Sequence, residues 1–151
     1  MEKVKYSVKK KCRFRDRGGV MKKELIICII IVFLIIIGNI ITQNYTKECV
    51  SQMNEKLDIL KEASLNAELE TENSEVSKQV REIENKWNEY QEKLAYYIEH
   101  DELEKVETQI FTMRGFSEIK KYDEIIPELE KCIFILEHIQ EKTKLNVKNI
   151  F

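Results

Sequence analysis

The apolar positions of the chain form one unbroken run and four spaced stripes. The run, residues 25–41, reads LIICIIIVFLIIIGNII; fourteen of its residues are Leu, Ile, Val or Phe, and none is charged. Beyond it, apolar residues recur in steps of three and four over 50–67, 76–97, 103–113 and 125–136. Such spacing places these side chains on one face of a helix. The pattern therefore predicts a wholly apolar helix followed by four amphipathic ones.

The apolar run is long enough to cross a membrane. A helix of this length spans roughly 25 Å, near the lower limit for the hydrocarbon core of a bilayer. Each Leu, Ile, Val or Phe favours insertion by about 0.3–0.6 kcal/mol, which together outweighs Gly38 and Asn39. A cleaved signal peptide is the alternative, but its apolar part is shorter and ends at small residues that are missing here. We therefore expect an uncleaved transmembrane anchor over residues 21–44.

The charge distribution predicts the orientation of this anchor. Residues 1–24 hold ten Lys or Arg and three acidic residues, which gives a net charge of +7. The remainder of the chain holds fifteen Lys or Arg and twenty-four acidic residues, which gives a net charge of −9. Basic residues flanking an anchor stay in the cytoplasm. We expect a single-pass protein of the cytoplasmic membrane with its N-terminus inside and residues 45–151 outside. The lipid bilayer is then a partner, and no nucleic acid is expected.

Residues 1–20 have two interpretations that stay open. They can form a basic segment that binds anionic lipid, at about 1 kcal/mol per charge near the surface. Alternatively, translation starts at Met21, because Met21-Lys22-Lys23 begins an anchor well and Arg17-Gly18-Gly19 is what a ribosome-binding site encodes in frame. Both interpretations keep Lys22 and Lys23, and therefore the same orientation.

The part of the chain outside the anchor is predicted to be helical. From residue 42 onward it contains one glycine, Gly115, and one proline, Pro127, which we place in the first turn of the last helix. Helix breaks are expected at 71–74, at 100–101 and over 115–122, with His100 in the last turn before its break. The expected N-terminal caps are Asn73 or Ser74, Asp101 and Asp123.

Short connections between these helices make sequence neighbours antiparallel. We therefore predict an all-α fold: a single N-terminal transmembrane helix followed by an antiparallel helical bundle of about four helices over residues 45–151. The first bundle helix should continue from the anchor, because nothing between Ile41 and Val50 breaks it. Large aromatic side chains are expected in the core or its grooves rather than in a cofactor site; they are Trp87, Phe111, Phe116, Phe134 and the tyrosines. Self-association through the heptad-like stripes is a further possibility.

Several segments resemble a known family. They are Lys86-Trp87, the stretch IEHDEL at 98–103, the stretch FILEHI at 134–139 and the end LNVKNIF at 145–151. With the apolar anchor, they are similar to the small bacterial membrane-anchored family catalogued as domain of unknown function 4363, over about residues 21–151. The family has no assigned activity. The resemblance therefore implies an architecture and a location, and no mechanism.

Motifs that carry catalysis are missing from the sequence. It has no glycine-rich phosphate loop, no G-x-S-x-G, no H-E-x-x-H and no C-x-x-C. We expect no catalytic activity and no cofactor. Of the four cysteines, Cys12 and Cys28 precede or lie in the anchor, and only Cys49 and Cys132 are outside. These two fit as small core residues, and a disulfide between them is the alternative.

The two histidines, His100 and His138, are the candidate metal ligands. In an antiparallel bundle the second and fourth helices run parallel, so both histidines belong at the membrane-proximal end. Carboxylates surround them in the sequence: Glu99, Asp101, Glu102, Glu137 and Glu141. Histidine and carboxylate together bind divalent metals. The alternative is that each histidine ends a helix, and neither has the Glu three residues earlier that di-iron bundles use.

Two functions follow from this sequence. The first is a membrane-anchored interaction or structural protein that presents its bundle to an integral membrane protein or to a second copy of itself. The alternative is a ligand- or metal-sensing bundle that acts through a membrane partner, since the cytoplasmic segment is too short for an output domain.

Overall fold

The computed structural model describes residues 17–67 and 74–144, with side chains over 22–67 and 75–144. Its elements are α1 (Arg17–Ala67), α2 (Ser74–Leu94), α3 (His100–Glu118) and α4 (Ile125–Thr143), with no strand among the described residues. The predicted all-α class is thus confirmed. Most of the basic segment 1–20, the expected cap Asn73 and the stretch 145–151 lie outside the described residues.

The chain divides into two compact units, one up to Ile37 and the other from Gly38 onward. In the first unit the large apolar side chains of the run are 39–65% exposed. Within the described part, α1 is the one helix long and apolar enough to cross a membrane, with a mean hydropathy of 3.2 over its most apolar stretch. Because α1 runs from Arg17 to Ala67, the prediction that the first bundle helix continues from the apolar helix is confirmed.

The second unit is a four-helix bundle whose core follows a repeat of alternating three- and four-residue steps. That repeat keeps one seam of each helix against its neighbours, as in coiled coils. The fully buried large side chains include Met53, Leu57 and Leu60 of α1, Ile83, Trp87 and Leu94 of α2, Leu103, Ile110 and Met113 of α3, and Ile125, Leu129 and Leu136 of α4.

The four helices close into a ring in chain order. α2 packs on α3, and α3 packs on α4. Ion pairs join α1 to both of its neighbours: Lys56 lies 3.7 Å from Glu82 of α2, and Lys61 pairs with Glu130 of α4. Surface pairs of this kind add little stability. Tyr90 of α2 also bonds Gln52 of α1, and this pair and Lys56–Glu82 run in opposite order along the two helices, so α1 and α2 are antiparallel. The α2–α3 connection and the end of α4 therefore meet at the end of the bundle where α1 enters it.

The connection between α2 and α3 differs from the prediction. α2 ends at Leu94, whose carbonyl accepts hydrogen bonds from the backbone N–H groups of Tyr97 and Ile98 at 3.1 and 2.9 Å. His100 therefore begins α3 instead of ending α2, and Glu99 occupies the N-cap position expected for Asp101. Asp101 lies in the first turn, where a carboxylate favours the helix dipole.

The ends of α3 and α4 also depart from expectation. Gly115 does not end α3, which continues to Glu118, because one exposed glycine costs only about 1 kcal/mol and Ser117 continues the buried seam. The turn comes at Lys120, which has a φ of 59°. At the start of α4 the N-cap is Glu124 rather than Asp123, without a side-chain capping bond. Pro127 lies in the first turn, as predicted.

The aromatic residues divide between the core and the surface. Trp87, Tyr90 and Tyr122 are buried, as expected for a core. Phe111 and Tyr96 are 62% and 89% exposed, so the prediction is wrong for them, whereas Phe134, which is 70% exposed, lines an open groove on the surface. Phe111 directly follows a seam position, and Phe134 lies midway between two of them, so both side chains point away from the core.

Candidate functional site

A cavity of about 310 Å³ lies at the end of the bundle where α1 enters it. Three parts of the fold build its wall: the beginning of the bundle part of α1, the α2–α3 connection with the first turn of α3, and the last turns of α4. Its polar and charged lining includes Asn39, Thr42, Tyr97, Glu99, Glu102 and Lys142. The volume is at the lower end of the range for small-molecule sites.

Glu102 is the buried charge of this cavity. Glu102 is only 6% exposed, although it lies in the first turn of α3. Lys142 of α4 donates a hydrogen bond to its Oε1 at 2.8 Å, and Lys105 of α3 donates another at 3.3 Å. The bond from Lys142 and the bond from Lys105 lower the pKa of Glu102, against the opposing effect of burial. Glu102 is therefore a fixed carboxylate that ties α3 to α4.

Hydroxyl groups connect the α1 side of the cavity to the α2–α3 connection. Thr46, which is fully buried, donates to the carbonyl of Thr42 at 2.9 Å. Its hydroxyl hydrogen is thus committed, so Tyr97 donates to Thr46 across their 3.1 Å separation. Burial raises the pKa of Tyr97, which keeps this phenol protonated as a donor. The loop is held to α1 by this bond.

Asn39 is the unsatisfied member of the lining. Its carbonyl accepts the hydroxyl of Thr42 at 2.9 Å. Its side-chain Nδ2 is buried and has no hydrogen-bond partner among the described residues. A buried amide donor without an acceptor costs free energy, and this Nδ2 has less than 1 Å² of accessible surface, so a ligand in the cavity does not reach it.

The two predicted metal ligands, His100 and His138, are both exposed on the surface of the bundle. The His100 Nε2 lies 3.2 Å from Oε1 of Glu104, one turn further along α3. The His138 ring stacks on Phe134, with centroids 6.5 Å apart and planes 7° from parallel. Among the described residues, no group of three or more histidine, cysteine or acidic side chains is arranged to hold a metal ion. A metal site at His100 and His138 stays a prediction.

The two cysteines of the bundle are core residues. Cys49 and Cys132 are free thiols with 1% and 0% exposure, so the alternative of a disulfide between them does not hold. Burial raises the pKa of the Cys132 thiol to about 12 and also raises that of Cys49. Neither thiol is placed or ionised as a nucleophile would be.

A second surface feature surrounds Phe134. The ring lines an open groove of about 420 Å³ together with Ile135 and the polar side chains of Gln109, Glu130 and Lys131. Aromatic side chains are enriched at protein interfaces, which have a polar rim. This groove lies on the outside of the α3–α4 pair.

The geometry can be compared with known proteins. The family model described as Domain of unknown function (DUF4363) matches residues 40–150. The chain belongs to this family. The DUF4363 segment includes the whole bundle and every residue that lines the cavity except Asn39. No curated protein and no solved structure matches the chain.

Sequence reasoning named Glu102 only as one of five carboxylates near the histidines, and it did not name Lys142. The seam pattern held a signal for Glu102. It directly precedes Leu103 at the edge of a buried seam, where a long side chain can lie along the neighbouring helix. Lys142 is forty residues away, and its pairing with Glu102 depends on the register of α3 against α4.

Proposed function

We propose that this DUF4363 protein is a single-pass membrane protein that presents a helical interaction bundle outside the cytoplasmic membrane, without catalytic activity. The exposed apolar run of α1 is the observation that carries the proposal. Burying a Leu, Ile, Val or Phe side chain gains roughly 1.5–3 kcal/mol. A run of fourteen such residues left in water would be incompatible with a soluble bundle, and a bilayer covers it.

The orientation of the anchor is supported by charge. Lys22 and Lys23 lie directly before the apolar run and have exposed side chains, and the chain from residue 42 onward has a net charge of −9. The positive-inside rule then places the N-terminus in the cytoplasm and the acidic bundle outside.

The interaction role is supported by the groove at Phe134. The core of the bundle is closed without Phe134, so its exposed ring contributes nothing to that core. Glu130 and Lys131 beside it provide charges of both signs at the border. We propose that an integral membrane protein docks on this groove, with a second copy of the chain as the other outcome of the test.

Site-specific photo-crosslinking tests this docking in membranes. A benzophenone amino acid replaces Phe134 in one variant and the exposed Glu62 of α1 in a control variant. We expect one defined adduct from position 134, of the mass of a membrane protein plus this chain, and none from position 62. An adduct of twice the chain mass identifies a second copy. Equal or absent adducts from both positions would exclude the groove as a docking site.

A ligand-sensing bundle is the second candidate function. It is favoured by the cavity of about 310 Å³ that Glu102 and Lys142 line, because this volume reaches the lower end of the range for small-molecule sites. The thermal stability of the full chain in detergent, with and without candidate small molecules, tests this role.

A further inference from the structure

The connection between α2 and α3 exposes an aromatic side chain at the end of the bundle where α1 enters it. Tyr96 is 89% exposed, the largest fraction among the large hydrophobic side chains that the structure describes, so its ring adds nothing to the core. It lies in residues 94–98, LAYYI, which carry no charge in a chain where 34% of the residues are charged. The connection therefore offers a partner an uncharged and largely aromatic surface.

Contacts with α1 fix the position of this connection along that helix. The Tyr97 hydroxyl lies 3.1 Å from the hydroxyl of Thr46, and Tyr97 and Ile98 line one cavity together with Asn39 and Thr42. The connection therefore lies beside the part of α1 between Asn39 and Thr46. All of these residues belong to the second compact unit, so this placement holds within that unit.

That part of α1 contains the end of the apolar run. The run ends at Ile41, and Thr46 lies five residues further along, a rise of about 7.5 Å in a helix. The hydrocarbon core of a bilayer is bordered on each side by a headgroup layer of about 5–8 Å. If the run crosses a bilayer, the α2–α3 connection lies at the level of this headgroup layer.

A tyrosine side chain suits the headgroup layer. Trp and Tyr are enriched at both membrane–water interfaces, because their rings are apolar at one end and polar at the other. The proposed anchor brings a bilayer to this level of α1 in every copy of the chain. A protein partner would have to enter between the connection and the membrane, so the bilayer is the favoured occupant.

We propose that the α2–α3 connection is a second membrane contact of the bundle, with the Tyr96 ring in the headgroup layer beside the end of the anchor. The contact needs no particular headgroup, since residues 94–98 are uncharged. Tyr97 is a positioning residue, because its bond with Thr46 holds the connection to α1. The inference rests on the proposed membrane anchoring.

Quenching of tryptophan fluorescence by brominated lipids tests the proposal. The full chain is reconstituted in phosphatidylcholine vesicles whose acyl chains carry bromine close to the headgroup, and its emission is compared with that in unbrominated vesicles. Tyr96→Trp should show severalfold more quenching than the unmodified chain, whose one tryptophan, Trp87, is buried in the bundle. Moving the bromine to the ends of the acyl chains should reduce the quenching of Tyr96→Trp.

Two other aromatic positions provide matched controls. Phe111→Trp changes a 62% exposed ring in the second half of α3, away from the α2–α3 connection, and should be quenched no more than the unmodified chain. Phe33→Trp places tryptophan in the middle of the apolar run and should be quenched most by bromine at the ends of the acyl chains. All three replaced side chains are exposed, so the substitutions leave the core of the bundle intact.

The controls separate this inference from the proposed function. Quenching of Phe33→Trp without quenching of Tyr96→Trp contradicts only the inference, whereas a Phe33→Trp chain that is not quenched contradicts the proposed anchoring. Equal quenching of Tyr96→Trp and Phe111→Trp would show that the connection is not the part of the bundle that contacts the membrane.

Two further results would overturn the proposal by assigning the contact elsewhere. Quenching of Tyr96→Trp that requires added phosphatidylglycerol and disappears in high salt would assign the contact to basic side chains instead of the uncharged connection. Emission of Tyr96→Trp that shifts to the blue without bromine quenching would show that protein, such as a second copy of the chain, covers the connection.

Discussion

The ammonium of Lys142 lies 2.8 Å from a carboxylate oxygen of Glu102, forty residues earlier in the chain. This bond joins the last turns of α4 to the first turn of α3 at the edge of the cavity. Glu102 is 6% exposed, whereas the Lys142 side chain is 45% exposed, so water reaches the pair from the lysine side. The relationship fixes the register of the two helices where the candidate site lies.

Acidification should weaken this bond in a defined direction. The pKa of Glu102 is lowered in the folded chain, chiefly by Lys142, so its contribution to stability is present above the ordinary carboxyl pKa of about 4.3. That contribution is lost as the pH falls through the lower pKa of the folded state. Between about pH 6 and about pH 3, the melting temperature should therefore fall more steeply for the unmodified chain than for Glu102→Gln.

The control for this pH series is Glu62→Gln, which changes an exposed carboxylate of α1 and should leave the slope unaltered. Thermal melts followed by circular dichroism in the same detergent give all three curves. Parallel curves for the unmodified chain and Glu102→Gln would show that the pair does not contribute to stability.

Trp87 is the largest fully buried side chain of the bundle, with 1% exposure. Truncation to alanine leaves a cavity in the seam of α2, and Trp87→Ala should lower the free energy of unfolding by about 3–5 kcal/mol. Phe134→Ala is the matched control, since that ring is 70% exposed, and it should cost less than about 1 kcal/mol. Denaturant titration measures both. Similar losses for the two variants would contradict the assigned core.

The end of α3 offers two stabilising substitutions. Lys121 and Lys120 donate backbone bonds to Phe116 and Ser117 at 2.9 and 3.3 Å, which is the pattern of a Schellman turn with Lys120 in the left-handed position. Glycine adopts that conformation without the penalty that a side chain brings. Lys120→Gly should therefore raise the free energy of unfolding by about 1 kcal/mol.

Gly115 is the reciprocal position within α3. It is exposed, has an ordinary backbone conformation, and an added Cβ would meet nothing within 4 Å. Gly115→Ala should stabilise the helix by about 0.5–1 kcal/mol through propensity alone. If instead both Lys120→Gly and Gly115→Ala lowered the free energy of unfolding, α3 would end at Gly115, as the sequence predicted. Denaturant titration of both variants decides this.

The proposed metal site is tested by zinc. If His100 and His138 share an ion, zinc should raise the melting temperature of the full chain, and both His100→Ala and His138→Ala should abolish the gain. His100 has Glu104 beside it, whereas His138 stacks on Phe134. A gain lost in His100→Ala alone would therefore indicate a surface pair on α3. No change with zinc in the unmodified chain would exclude a metal role for either histidine.

The architecture could be predicted from the sequence because two strong patterns encode it. The apolar run and the three–four spacing each repeat over many residues, so local exceptions such as Gly115 do not obscure them. The cavity was not predictable in the same way. Glu102 and Lys142 lie among many Glu and Lys residues, and only the register between helices selects this pair. The exposure of Phe111 follows from its place directly after the seam residue Ile110, which residue type alone does not indicate.

The most direct test of the central claim is cysteine accessibility in intact cells. Glu118→Cys places a thiol at the exposed end of α3, whereas Cys49 and Cys132 are buried. A membrane-impermeant maleimide should label Glu118→Cys in intact cells above the background of the unmodified chain. It should label Lys23→Cys, on the other side of the anchor, only after lysis. Labelling of Glu118→Cys only after lysis would contradict a bundle presented outside the cytoplasmic membrane.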